Sequence, residues 1–221
     1  MLGYGTLHSK LVKGGNSEID NITLGFYAAW AYQNGVYFES QAIIDHYKNK
    51  ISAFETGSMN LNSADFNTMA YTLNFALGKK HYLPKGLFID LYADLDYTYY
   101  DERNFRTSNN LKVYQDPYQN LGLIGSIMIG KEFDNSKGMI YTKTDVGHYF
   151  SDANDTGKIM DPLTGNWDYK LADYSYTFAN AILGVKYRPS KAFELSLEAN
   201  RYFMSYTDAN YGIRGEIRYR F

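Results

Sequence analysis

Apolar and polar residues alternate at every second position through ten stretches of this chain, near 2–13, 20–33, 35–50, 66–80, 86–100, 119–132, 138–150, 172–187, 192–205 and 210–221. A period of two marks a strand whose two faces meet different surroundings. In 86–100, Leu87, Ile89, Leu91, Ala93, Leu95 and Tyr97 share one face, with Asp90, Tyr92, Asp94 and Asp96 opposite. Leu24, Phe26, Ala28, Trp30 and Tyr32 share a face in the second stretch, and Leu121, Leu123, Gly125, Ile127 and Ile129 in the sixth. Ala181, Leu183, Val185 and Tyr187 do so in the eighth; Phe193, Leu195, Leu197 and Ala199 oppose Glu194, Ser196, Glu198 and Asn200 in the ninth. Each stretch is long enough for a tilted membrane crossing, which takes roughly 9–11 residues.

The last stretch has the strictest pattern. Tyr211, Ile213, Gly215, Ile217, Tyr219 and Phe221 fall on one face; Gly212, Arg214, Glu216, Arg218 and Arg220 fall on the other. A soluble sheet rarely ends on an exposed aromatic with three arginines on its second face. A strand between lipid and a polar lumen requires that arrangement. The ending resembles the C-terminal strand by which bacterial outer-membrane barrels are recognised for assembly. Tyr211, Ile213, Ile217, Tyr219 and Phe221 are therefore the expected assembly signal.

The connections carry a second, independent pattern. Gln33-Asn-Gly35 is a tight hairpin signal, and 81–86, 134–138 and 188–191 are also short. Longer polar stretches lie between them, at 51–65, 101–118 and 151–171, and read as loops. Short turns on the side where the chain ends, with long loops opposite, match the periplasmic turns and outer loops of membrane barrels. A soluble β-sandwich has no reason to sort its connections this way. The predicted fold is all-β: one transmembrane antiparallel β-barrel of the outer-membrane type over 1–221, with about ten strands visible.

Composition agrees. The 221 residues include 23 Tyr, 13 Phe and 2 Trp, enough for two aromatic girdles. Mean hydropathy is −0.43, and no run approaches the roughly 18 apolar residues of a spanning helix. A net charge of −2 argues against nucleic acid as a partner. The absence of cysteine excludes disulfides and thiolate metal sites. The opening Met1-Leu-Gly-Tyr4 has neither the basic segment nor the apolar run of a signal peptide. The expectation is a mature portion of an exported protein.

The polar faces define the candidate site. Asp90, Asp94, Asp96, Asp145, Glu194 and Glu198 are expected to line the lumen, with Lys143, Arg214, Glu216, Arg218 and Arg220 among the counter-charges. Such a set serves a hydrated pore, and it equally serves a polar interior that pairs its charges for stability. A protease of the omptin kind needs Asp and His on one strand face. Asp145 and His148 fall on opposite faces, and no His follows an Asp by two residues. No catalytic group, cofactor or metal is expected.

Several segments resemble type V autotransporter barrels. Ile19-Asp-Asn-Ile-Thr-Leu-Gly-Phe-Tyr27 with Asn34-Gly-Val-Tyr-Phe-Glu-Ser40 is similar to that family's "LGxYxxY…xxGxYxD" hairpin. Gly86-Leu-Phe-Ile-Asp-Leu-Tyr-Ala-Asp-Leu95 is similar to its "GxFIEPxAEL" strand, and Tyr141-Thr-Lys-Thr-Asp-Val-Gly-His-Tyr-Phe150 to its "YxKxxxxHEF" strand. The resemblance implies a twelve-stranded translocator that anchors and helps export its own N-terminal passenger. Its expected location is the bacterial outer membrane, and its expected partners are membrane lipid and the barrel-assembly machinery. It also implies that the first hairpin and a lumen-threading linker helix lie outside this sequence. The family's inward acids match Asp94 and Glu198, whereas the Arg and Glu of its "RxGxExG" strand fall on Ile124 and Met128, so the polar network is thinner here. The alternative is a stand-alone small outer-membrane porin or adhesin barrel. The sequence upstream of Met1 separates the two: a fused passenger in the first case, a signal peptide directly before the barrel in the second.

Overall fold

The computed structural model describes the chain except for residues 11–14, 55–60, 134, 136, 152–155, 162–164, 171–174, 191, 204–210, 220 and 221. Fourteen strands are described: β1 (Leu2–Lys10), β2 (Gly15–Ala31), β3 (Val36–Phe54), β4 (Leu61–Tyr82), β5 (Leu87–Tyr100), β6 (Arg103–Arg106), β7 (Lys112–Gln115), β8 (Tyr118–Phe133), β9 (Gly138–Ser151), β10 (Thr156–Asp161), β11 (Gly165–Lys170), β12 (Tyr176–Tyr187), β13 (Phe193–Phe203) and β14 (Tyr211–Tyr219). Ten form one antiparallel sheet in the order β1-β2-β3-β4-β5-β8-β9-β12-β13-β14. These are the ten expected from alternation. The strands β1 and β14 are its two edges, with no pairing between them among the described residues.

A packed apolar interior is absent from this sheet among the described residues. Buried apolar side chains are confined to Ala64, Ala70, Ala76, Phe88, Tyr141 and Phe178. The large apolar residues stand exposed on the opposite face. Phe75 pairs with Leu95 and Leu95 with Leu123; Leu91 pairs with Ile127, and Ile89 with Ile129. These rows form a continuous apolar band across neighbouring strands. Water would penalise so large a band, and lipid is the solvent that suits it. Trp30 and Phe38 add an aromatic contact at 5.5 Å, and Phe38 meets Phe75 at 6.3 Å.

The tight hairpin expected at Gln33-Asn-Gly35 joins β2 to β3, as a three-residue loop in which Gly35 alone is left-handed rather than as a two-residue Asn-Gly turn. Gly35 adopts φ 83, the Tyr32 N–H donates to Val36 at 2.8 Å, and the Asn34 side chain accepts from the Val36 N–H at 3.1 Å. At the other end of the sheet the reading of 51–65 as a loop is corrected. The strands β3 and β4 stay in register until Phe54 faces Leu61, so that connection shortens to 55–60. Polar residues on both faces concealed these extensions, because beyond the lipid no face needs to be apolar.

A second correction concerns 101–118 and 151–171. They contain β6, β7, β10 and β11, a four-stranded sheet in the order β11-β10-β7-β6. It leans on the upper part of β4. The Ser108 N–H donates to the Ser63 carbonyl at 2.8 Å, and Phe105 stacks on Phe66 at 4.3 Å. Phe105, Val113, Ile159 and Trp167 face one another in successive strands, giving the small sheet an apolar row.

Candidate functional site

The polar face of the ten-stranded sheet is concave. Neighbouring strands lie about 4.8 Å apart, so second neighbours are about 10 Å apart on a flat sheet. Here side chains repeatedly cross that distance. Tyr37 on β3 donates its hydroxyl to Asp90 on β5 at 3.1 Å. Tyr149 on β9 donates to Asp96 on β5 at 3.2 Å, and Tyr141 on β9 donates to Glu198 on β13. Lys80 on β4 pairs with Glu132 on β8 at 2.8 Å. These bridges tie together strands that are not hydrogen-bonded to each other.

The strand passed over supplies a glycine each time a tyrosine crosses it. Gly122 stands between Tyr149 and Asp96 in one row, and a Cβ there would lie 2.6 Å from the Tyr149 ring. Gly184 stands between Tyr141 and Glu198, and Gly78 faces Tyr37; in both the ring fills the space of the missing side chain. Phe88 over Gly130 and Phe178 over Gly147 repeat the device without a hydroxyl. The glycines give close approach, and the aromatics restore packing above them.

Each candidate among the described residues has a definite place. Asp90 is buried beneath Tyr37. Asp94 accepts from the Asn74 amide at 2.6 Å. Asp145 is buried, accepts from Ser126 at 2.6 Å and from Asn180 at 3.3 Å, and pairs with Lys143 at 3.0 Å. Lys143 also lies over the Tyr92 ring at 5.0 Å. Glu194 is buried at the turn end and gathers three cations: Arg188, Lys186 at 3.8 Å and Arg218 at 3.6 Å. Arg218 and Arg214 both approach Glu216, at 2.8 and 3.8 Å. Arg220 and Phe221 lie outside the described residues. Tyr211, Ile213, Ile217 and Tyr219 stand exposed along the other face of β14.

The structure brings together residues that alternation alone did not single out. Tyr37, Tyr141 and Tyr149 are in phase with the charged positions, as are Lys80, Glu132 and Lys186. Their signal was the phase itself, though their partners depend on register. Asp145 and His148 part company: His148 hydrogen-bonds Thr177 at 2.7 Å and meets Phe150 edge-on at 4.4 Å. Among the described residues no group of three or more His, Cys, Asp or Glu side chains is placed to hold a metal ion.

Comparison with known proteins gives one family. Residues 1–200 match the family described as "Autotransporter beta-domain". The chain is 23% identical over 202 residues to the probable autotransporter YcgV of Escherichia coli (strain K12), a match covering 89% of this chain and 20% of that protein. It thus spans about a fifth of the length of the curated relative it matches. The crystal structure of the β domain of the Bordetella autotransporter BrkA superposes with a TM-score of 0.73 at 17% identity, covering 100% of this chain and 81% of that one. At that identity the likeness is one of fold.

Proposed function

The chain belongs to the autotransporter β-domain family, and on that premise we propose that it anchors an N-terminal passenger in the bacterial outer membrane and supports its export. The observation that carries this reading is the two-sided wall. One face is a continuous apolar band; the other holds Asp90, Asp94, Asp96, Lys143, Asp145, Glu194 and Glu198, each with a polar or charged partner on the same face. Such an interior is hydrated and offers an unfolded chain little apolar surface to adhere to. The role is structural and involves no catalytic group.

The edges left unpaired among the described residues bear on how the barrel closes. An open sheet edge in hydrocarbon leaves backbone groups unsatisfied, at several kcal/mol each. An upstream hairpin seated between β1 and β14 would satisfy both edges, bringing the count to the twelve that the family resemblance implies, with a linker helix through the lumen. BrkA's longer β domain leaves room for such elements. The exposed face of β14, with Phe221 in the same sequence phase, is the part offered to the barrel-assembly machinery.

The test uses the full-length protein in cells. Surface protease should remove its N-terminal region while the barrel stays protected in the membrane. Cysteines placed in β1 and β14 should cross-link poorly, because another strand separates them. Efficient β1–β14 cross-linking, with an N-terminal region that protease never reaches, would replace this reading with a stand-alone porin or adhesin barrel.

A further inference from the structure

At the turn end of the concave face lies a cavity of about 340 Å³ lined by Lys80, Glu132, Lys137, Met139, Lys186 and Arg188, among others. Four of those side chains are cationic and one is a carboxylate. Glu194, buried nearby, adds a second negative charge but is already shared by Arg188, Lys186 and Arg218. Lys80 is committed to Glu132 at 2.8 Å and lies over the Phe88 ring at 3.9 Å. Lys186 has its described ion pair only at 3.8 Å, and Lys137 has no carboxylate within ion-pair distance among the described residues. Among the described residues the cavity therefore holds positive charge in excess of its carboxylates.

We infer that this cavity is an oxyanion site, taking a carboxylate or phosphate between Lys137 and Lys186. Positive excess in a partly enclosed, partly desolvated recess favours an anion more strongly than an open surface does. The position narrows the source. Lys80, Glu132, Met139 and Lys186 sit on the inward phase of four strands, so the recess opens to the lumen and away from lipid. The favoured ligand is the carboxylate of an Asp or Glu in a chain segment occupying the lumen. A free phosphate from the surrounding solution offers the same chemistry. The inference rests on the barrel reading above.

The experiment uses the folded full-length protein and a double variant, Lys137→Gln with Lys186→Gln. These two lysines are chosen because Glu132 keeps Lys80 and Glu194 keeps Arg188 and Arg218. Carbodiimide joins a lysine amine to a carboxylate only when the two touch. The expected result is cross-links from Lys137 or Lys186 to acidic residues preceding residue 1, mapped by mass spectrometry and lost in the double variant. In parallel, isotope-labelled methyl groups on the lysines are followed by NMR while inorganic phosphate is added to millimolar levels. Phosphate-dependent shifts at Lys137 and Lys186, without cross-links, support the site with a free anion as its ligand. Neither cross-links nor shifts would overturn it. Heat-modifiable mobility of each sample reports separately on the barrel, so a misfolded barrel and a vacant pocket give different results.

Discussion

The ring of Tyr141 fills the space above Gly184 that any other residue's Cβ would take, and its hydroxyl passes over the glycine to Glu198. Gly184→Val should therefore expel the ring and break the tyrosine–carboxylate bond. Overpacking of this kind costs about 1–3 kcal/mol. Gly125→Ala is the control, since a Cβ there meets nothing closer than the Val146 carbonyl at 4.0 Å. Urea unfolding in lipid vesicles should separate the two; equal midpoints would remove the packing role of the glycine.

Leu91 is 53% exposed on the apolar band, and Asp94 is on the other face of the same strand. Leu91→Arg should destabilise the barrel by roughly 2–4 kcal/mol if Leu91 lies near the bilayer midplane. Asp94→Asn keeps a hydrogen-bonding group opposite Asn74 and should be milder. The same vesicle assay checks this, and indistinguishable midpoints would refute the assignment of faces.

Glu194 is 5% exposed and holds three cations. Glu194→Ala leaves those charges crowded together, though their outer portions stay wet. The expected loss is about 1–3 kcal/mol, below that of a fully buried pair because water screens the arginines. Arg214→Ala, with a side chain 72% exposed, should change stability little. A loss with Arg214→Ala as large as with Glu194→Ala would contradict a Glu194-centred cluster.

Phe105 ties the small sheet to β4 through its stack on Phe66. Phe105→Ala should loosen that sheet, since such a pair is worth about 0.5–1.5 kcal/mol beyond its burial. Limited proteolysis should then cut within 101–118 or 151–171 faster, with heat-modifiable mobility unchanged. If cleavage is no faster, the stack is not what holds the sheet.

Phe221 shares the two-residue phase of Tyr219, Ile217 and Ile213 in the sequence. Phe221→Asp should impair insertion into the outer membrane by placing a charge near the lipid face. Normal heat-modifiable mobility of this variant in isolated outer membranes would exclude the terminal aromatic from assembly.

The ten barrel strands were legible because lipid on one side and water on the other impose alternation residue by residue. Asp90 and Leu91 could be assigned to opposite faces without knowing any partner. The four strands β6, β7, β10 and β11 were not legible. They are four to six residues long, lie outside any lipid, and depend on the non-local pairing of β7 with β10. The glycine seats were hidden for another reason. Gly122 and Gly184 read as small residues in strands, and only register shows that Tyr149 and Tyr141 lie across them. The turn-end cavity likewise joins Lys80, Lys137 and Lys186 from three distant parts of the chain.

Strand β4 has 22 residues, about twice the roughly 9–11 that crossing requires. At about 3.3 Å per residue and a tilt near 40°, it rises roughly 55 Å, against an apolar band of about 25 Å. The short turns keep the other end close to the bilayer, so the surplus stands on the side of the long loops. There β3 and β4 form a stiff parapet with the small sheet braced against it. If the barrel sits in the outer membrane as proposed, an antibody or phage approaching the cell would meet strand backbone some tens of ångströms before the lipid. Its epitope would be hydrogen-bonded strand backbone rather than loop.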